Sequence, residues 1–171
     1  MKIEVFIMDL ASFGLETVFL SAIKSEIESE GVYNSIADSV RNAFLKEKMR
    51  FLAHEEGAHR RLLENEFRKQ FPGTPIVIPD TGLVPLPEIT VPDEDVPLSE
   101  VVESAMRAEL AAHDFYLSMK LLFDKHSEFI QTLDFLANME MGHYEMLKLE
   151  KENLANFEDY DTYWEMMNIG P

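Results

Sequence analysis

Apolar positions recur at helical spacing in four stretches of this chain, and breakers are scarce within each. The first runs from about Leu15 to Val40, with Phe19, Ala22, Glu26, Tyr33, Ile36 and Val40 on one face. The second, about Ala43 to Phe71, presents Met49, Leu52, Glu56, His59, Leu63 and Phe67. Asn42 is its expected N-cap and Pro72-Gly73 its stop. The third runs from about Ser99, the expected cap, to Phe123, with Val102, Ala105, Glu109, Ala112, Tyr116 and Phe123 aligned. The fourth, about Glu128 to Ala155, follows Ser127 and aligns Leu133, Leu136, Glu140, His143, Leu147 and Leu154.

Short links near Arg41-Asn42 and at Asp124 to Ser127 make each consecutive pair an antiparallel hairpin. Between the hairpins lie Pro72, Pro75, Pro79, Pro85, Pro87, Pro92 and Pro97, which exclude a helix there. The expected architecture is all-α: a four-helix bundle of two helix hairpins joined by a long proline-rich crossover over 72–98. Residues 1–171 are read as a single domain. Thr74 to Ile78 alternates in a way that suits a short strand pair. The tail, 156–171, is aromatic and acidic (Phe157, Tyr160, Tyr163, Trp164) and is read as a covering segment without chemistry, folded on the bundle or on a second subunit.

Charged and polar residues break the apolar faces in a repeated way. Glu56-Gly-Ala-His59 recurs 84 residues later as Glu140-Met-Gly-His143, and Glu26 recurs 83 residues later as Glu109. The flanks repeat too: Ala22-Ile-Lys-Ser-Glu26 through Tyr33 aligns without gaps on Ala105-Met-Arg-Ala-Glu109 through Tyr116, and Phe51-Leu-Ala on Phe135-Leu-Ala. The chain is two copies of one helix pair.

Residues three apart share a helix face, so each Glu-x-x-His can bind metal from one helix. Four inward carboxylates without compensation cost several kcal/mol each, and two divalent cations neutralise them. Glu26, Glu56, His59, Glu109, Glu140 and His143 are therefore the expected ligands of a two-metal site in the bundle core. Hard oxygens with two imidazoles suit iron or manganese, with zinc competing.

Tyr33 and Tyr116, each seven residues after a site Glu, are read as packing aromatics with satisfied hydroxyls; bonding to ligands or oxidation of the ring are the alternatives. Glu30 and His113 stand at matching positions four after Glu26 and Glu109, as groups behind the ligands, as an extra ligand, or as ordinary hydrogen-bonded side chains. His54 and His126 are read as surface histidines.

A formal charge of −17 makes nucleic acid and anionic membranes poor partners, and part of it is cancelled if the site holds metal. There is no cysteine, which excludes disulfides, thiolate sites and iron–sulfur clusters in this chain. Met1 to Leu10 has too short an apolar run for a signal peptide or a membrane span, so a cytoplasmic protein is expected.

Together the motifs Ala-Ile-x-x-Glu26 with Tyr33, Leu52-Ala53-x-x-Glu56-x-x-His59, Ala105-Met-x-x-Glu109 with Phe115-Tyr116, and Leu136-Ala137-x-x-Glu140-x-x-His143 resemble the rubrerythrin-like branch of the ferritin-like di-iron carboxylate proteins. The resemblance implies two iron ions, with Glu56 and Glu140 as bridges and Glu26 and Glu109 as terminal ligands. It implies oxygen-linked redox chemistry, with hydrogen peroxide or dioxygen as substrate. Iron oxidation and storage, or a metal-stabilised structural bundle, are the competing readings. A homodimer is expected by analogy. Rubrerythrins carry a four-cysteine rubredoxin-like domain; this chain has none, so a separate electron-donor protein is expected. They also place a Glu three residues after the third-helix ligand, where this chain has Ala112.

Overall fold

The computed structural model describes residues 5–40, 42–86 and 97–167, with side chains through 154. Four helices follow in order: α1 (Leu15–Ser39), α2 (Ala43–Gln70), α3 (Leu98–Lys120) and α4 (Phe129–Met167). No strand occurs among the described residues, so the alternation at Thr74 to Ile78 forms none there. Most of the crossover, through Leu86, is described; Pro87 to Val96 lie outside the described residues, as do Met1 to Glu4.

The start of α2 is fixed as the sequence suggests. Asn42 Oδ1 accepts from the amides of Phe44 and Leu45, which satisfies two of the four orphan donors of a helix start. Its end follows from Pro72-Gly73, where Gly73 takes a positive φ of 84° that other residues rarely adopt.

Three boundaries depart from expectation. Pro97, not Ser99, is the N-cap of α3, and the helix begins at Leu98. Proline at a helix start loses nothing by lacking an N–H. The far end of α3 stops at Lys120 rather than Phe123. There the amides of Leu121, Leu122 and Phe123 turn back on the carbonyls of Ser118, Met119 and Lys120, the tighter closure common at helix ends. Helix α4 continues to Met167, twelve residues past Ala155, so 156–167 are helix and not a separate tail. No Gly or Pro interrupts the sequence there before Gly170. The side-chain placement of Phe157, Tyr160, Tyr163 and Trp164 lies outside the described residues.

The helices pack closely within each hairpin, whereas α1 meets α3 and α2 meets α4 only briefly. Two apolar clusters fill the bundle on either side of a polar layer. One gathers Val18, Phe19, Leu63, Phe67, Phe115, Phe129 and Leu133. The other gathers Ile36, Leu45, Met49, Leu52, Val102 and Leu147. In the first, Phe19 lies within 6.1 Å, centroid to centroid, of the rings of Phe67, Phe71, Phe123 and Phe129. Phe19 and Phe67, the fully buried rings of this group, each contribute about 1.5–3 kcal/mol by leaving water. On every helix a site residue falls between the parts belonging to the two clusters, so the polar layer is clamped at both ends by dry packing.

Candidate metal centre

All six sequence-predicted residues meet in that layer, each 3% exposed or less. They form two overlapping groups. Glu26, Glu56, His59 and Glu140 make one; Glu56, Glu109, Glu140 and His143 make the other. Within each group one ligand atom per residue lies within 4.8 Å of all the others. Glu56 and Glu140 belong to both, whereas Glu26 and Glu109 belong to one each.

Helical phase explains the convergence. Each Glu-x-x-His puts its two side chains on one face, and His59 Nδ1 lies 3.1 Å from Glu56 Oε2 on its own helix. It also lies 3.1 Å from Glu140 Oε1 on α4 and 3.7 Å from Glu26 Oε2 on α1. His143 Nδ1 is equidistant, at 3.4 Å, from Glu56 Oε1, Glu109 Oε2 and Glu140 Oε2. The two imidazoles face each other with centroids 5.5 Å apart and planes 18° from parallel.

The tyrosines link the hairpins crosswise. Tyr33 of α1 donates its hydroxyl proton to Glu109 of α3, and Tyr116 of α3 donates to Glu26 of α1. As numbering rises on α1 it falls on α3, so these two helices are antiparallel. The hydroxyls are satisfied, as a packing role requires, and the partner in each case is a carboxylate of the site. Burial, then the nearby Glu109 and Glu26 respectively, keeps both phenols well above their usual pKa. They remain proton donors at any ordinary pH.

The carboxylates crowd each other. Burial first, then repulsion from Glu56, pushes Glu26 well up; burial also raises Glu140. Burial alone would lower the histidines. Contacts with Glu109, Glu140 and Glu56 outweigh it and push His143 up to about 12, and His59 rises for the same reason through Glu140, Glu26 and Glu56. The layer is thus a trap for positive charge, which protons fill when no metal does.

Hydrogen bonding among the residues themselves is incomplete. Glu56 Oε1, Glu140 Oε1, His143 Nδ1 and both histidine Nε2 atoms are buried without a hydrogen-bond partner. Short distances without bonding geometry, on converging acceptors, are what a cation between them would resolve. Hard carboxylates plus two imidazoles therefore fit two divalent first-row metals.

The remaining candidates stand outside this layer's inner ring. Glu30 is half-buried and pairs with Arg60 at 3.1 Å. It rests over Gly57, where a Cβ would come 3.3 Å from its Oε1, so the glycine beside Glu56 gives this carboxylate room. His113 pairs through Nδ1 with Asp114 at 2.9 Å. His54 and His126 are exposed. Ala112 is buried, and no seventh carboxylate stands at that position. Arg60 and Asp114 carried no periodic or motif signal, and only the fold shows them as partners. The pair of Lys48 on α2 with buried Glu150 on α4 was equally invisible.

No described helix is long and apolar enough to cross a membrane. A sequence model of the rubrerythrin family matches residues 18–151, a span that holds all six residues and both tyrosines. A solved structure of a hypothetical protein from Pyrococcus furiosus is 33% identical, with a TM-score of 0.76 over 87% of this chain and 95% of the other. No functionally curated protein matches the chain.

Proposed function

The chain belongs to the rubrerythrin family, and from that premise we propose that it is a di-iron carboxylate redox protein, which reduces hydrogen peroxide or dioxygen with electrons from a separate donor protein. One observation carries the reading: two four-residue groups share Glu56 and Glu140, so two metals would be held by those carboxylates in common, with Glu26 and His59 completing one group and Glu109 and His143 the other. Two bound irons would supply the two electrons that, with two protons, reduce hydrogen peroxide to water or dioxygen to hydrogen peroxide.

The protein's own part is to hold, exclude and neutralise. Glu56 and Glu140 are the shared groups. Tyr33 and Tyr116 fix the orientation of Glu109 and Glu26 by donating to one oxygen of each, leaving the second for a cation. The apolar clusters on both sides exclude bulk water from the layer. Their low polarity strengthens every electrostatic interaction within it. Metal entering the layer would displace the protons held on its carboxylates and imidazoles.

A second reading, iron oxidation for storage, is favoured by Ala112. The family's redox-responsive Glu is absent from that position, and the six-residue set suits uptake and oxidation of ferrous iron as well as peroxide reduction.

The test is anaerobic loading with ferrous iron, metal analysis, and ultraviolet–visible spectra after stoichiometric hydrogen peroxide or dioxygen. Two irons per chain with faster oxidation by peroxide is the expected result. Faster oxidation by dioxygen moves the assignment to iron oxidation or oxygen reduction. Tight binding without oxidation leaves a structural metal, and no binding overturns the centre itself.

A further inference from the structure

The repeat has outer faces as well as inner ones, and there the halves part. On the second hairpin, α3 and α4 leave between them a groove of about 400 Å³. Met106, Leu110 and Tyr144 supply its apolar surface, and Arg107, Lys148 and Lys151 bring cations to it. Glu103 and Glu152 complete the lining, so every lining residue comes from these two helices.

The shifts of 83 and 84 residues carry Met106, Arg107 and Leu110 onto Ile23, Lys24 and Ile27 of α1, and Lys151 onto Phe67 of α2. On the first hairpin the matching position Lys24 lies under the chain's own crossover. Gly82 lies against α1, so near that a Cβ there would stand 3.4 Å from Lys24 Cδ. Ile76, Leu83 and Val84 pack on the cluster that contains Ile23, Leu63 and Phe67. The Lys24 side chain is consequently 16% exposed, whereas its counterpart Arg107 is 57% exposed.

The crossover thus shields this position in one hairpin, whereas the equivalent position beside the groove stays open. The lining charges supply the rest of the description. Three cations face two carboxylates, a net positive lining on a chain with 32 acidic and 15 basic residues. The existing pairs are partly exposed and replaceable: Lys151 with Glu103 at 2.8 Å, Arg107 with Glu103 at 3.5 Å, and Lys148 with Glu145 at 3.3 Å. A volume of this size is in the range of small-molecule sites, which combine apolar walls with a few placed polar groups.

We propose that the groove between α3 and α4 binds an amphipathic carboxylate, with a medium-length alkyl chain over Met106, Leu110 and Tyr144 and the carboxylate head among Arg107, Lys148 and Lys151. Tyr144 follows His143 in α4, so the bound chain rests on the helical turn that carries a site imidazole. The metal centre can stand or fall without this site.

Isothermal titration of the metal-loaded full chain with decanoate, below its micellar concentration, tests it. Expected is saturable one-site binding, weakened at least tenfold by Leu110→Asp and by Lys148→Glu, and changed less than twofold by Phe44→Ser, an exposed apolar residue on α2. Decanol, with the same chain and no charge, is expected to bind at least fivefold more weakly. Helical circular dichroism and metal per chain report folding, and Lys148→Glu, on the exposed rim, carries the test should Leu110→Asp fail to fold. Absence of saturable heat, equal binding by both groove variants, or loss with Phe44→Ser would each overturn the proposal.

Discussion

The two hairpins agree where they face each other and disagree where they face outward. Inside, Glu26 matches Glu109, Tyr33 matches Tyr116, Glu56 matches Glu140 and His59 matches His143. Outside, Glu30 is matched by His113, Gly57 by Met141, Arg60 by Tyr144 and Lys24 by Arg107. The inner positions meet in one layer, where Glu56 and Glu140 belong to both groups, so a change at either of these reaches both halves. The outer positions answer to different neighbours: the crossover and the Arg60–Glu30 pair on one side, an open groove and the His113–Asp114 pair on the other. Repetition in the sequence is thus a map of which residues work jointly.

The largest test of that contrast is metal stoichiometry. Glu56→Ala and Glu140→Ala are expected to abolish two-metal binding, because each removes a group common to both halves. Glu26→Ala and Glu109→Ala are expected to leave about one equivalent each. Equal losses in all four, by metal analysis, would mean that the halves do not share Glu56 and Glu140.

Acidity comes next. The raised pKa values of Glu26, Glu140, His59 and His143 mean that the metal-free native state holds more protons than the unfolded chain. The contribution of these groups to stability is complete below their unfolded values, 4.5 for the carboxyls and 6.5 for the imidazoles. It is lost as pH rises toward the folded values, for His143 between 6.5 and about 12. The metal-free protein should therefore lose stability with rising pH above about 4.5, read by urea midpoints. Metal affinity should move the opposite way, by about tenfold per pH unit for each proton displaced. A flat profile for both would show that the layer binds no excess protons.

Packing gives a smaller, lopsided effect. Phe19→Ala removes the centre of the aromatic cluster and is expected to cost about 3–5 kcal/mol, while its repeat mate Val102, with no such ring cluster around it, should cost less on the same change. Smaller again are Tyr33→Phe and Tyr116→Phe. Each leaves a buried carboxylate short of a donor and should cost about 1–3 kcal/mol in the metal-free protein. Near-equality of the pair supports the inner symmetry; a large difference breaks it. Asn42→Ala should cost about 1 kcal/mol through the lost cap of α2.

Much of this architecture could be read from one chain. Helical phase placed all six site residues on inward faces because burial, ligation and the 3.6-residue period leave a single solution for Glu56 with His59 and Glu140 with His143. Helix starts were legible where a side chain caps, as at Asn42, and misread where proline does the work, as at Pro97. The acidic, aromatic composition of 156–167 suggested a tail, although the absence of Gly and Pro was the better signal for the continuation of α4. The tyrosine partners were not legible, because a hydroxyl that crosses between α1 and α3 depends on the register of two hairpins separated by the crossover. Glu30 and His113 were marked as equivalents by position, yet their partners Arg60 and Asp114 come from different places: one from the facing helix, the other from the next residue.

The crossed bonds from Tyr33 to Glu109 and from Tyr116 to Glu26 are the contacts that two identical hairpins would exchange as separate molecules in a symmetric dimer. The crossover tethers the halves and turns that association into a unimolecular event. A backbone cut within the crossover would return the problem to mass action. Neither half can complete its carboxylates alone, so the severed hairpins would recover a full centre only at protein concentrations that replace the missing covalent bond.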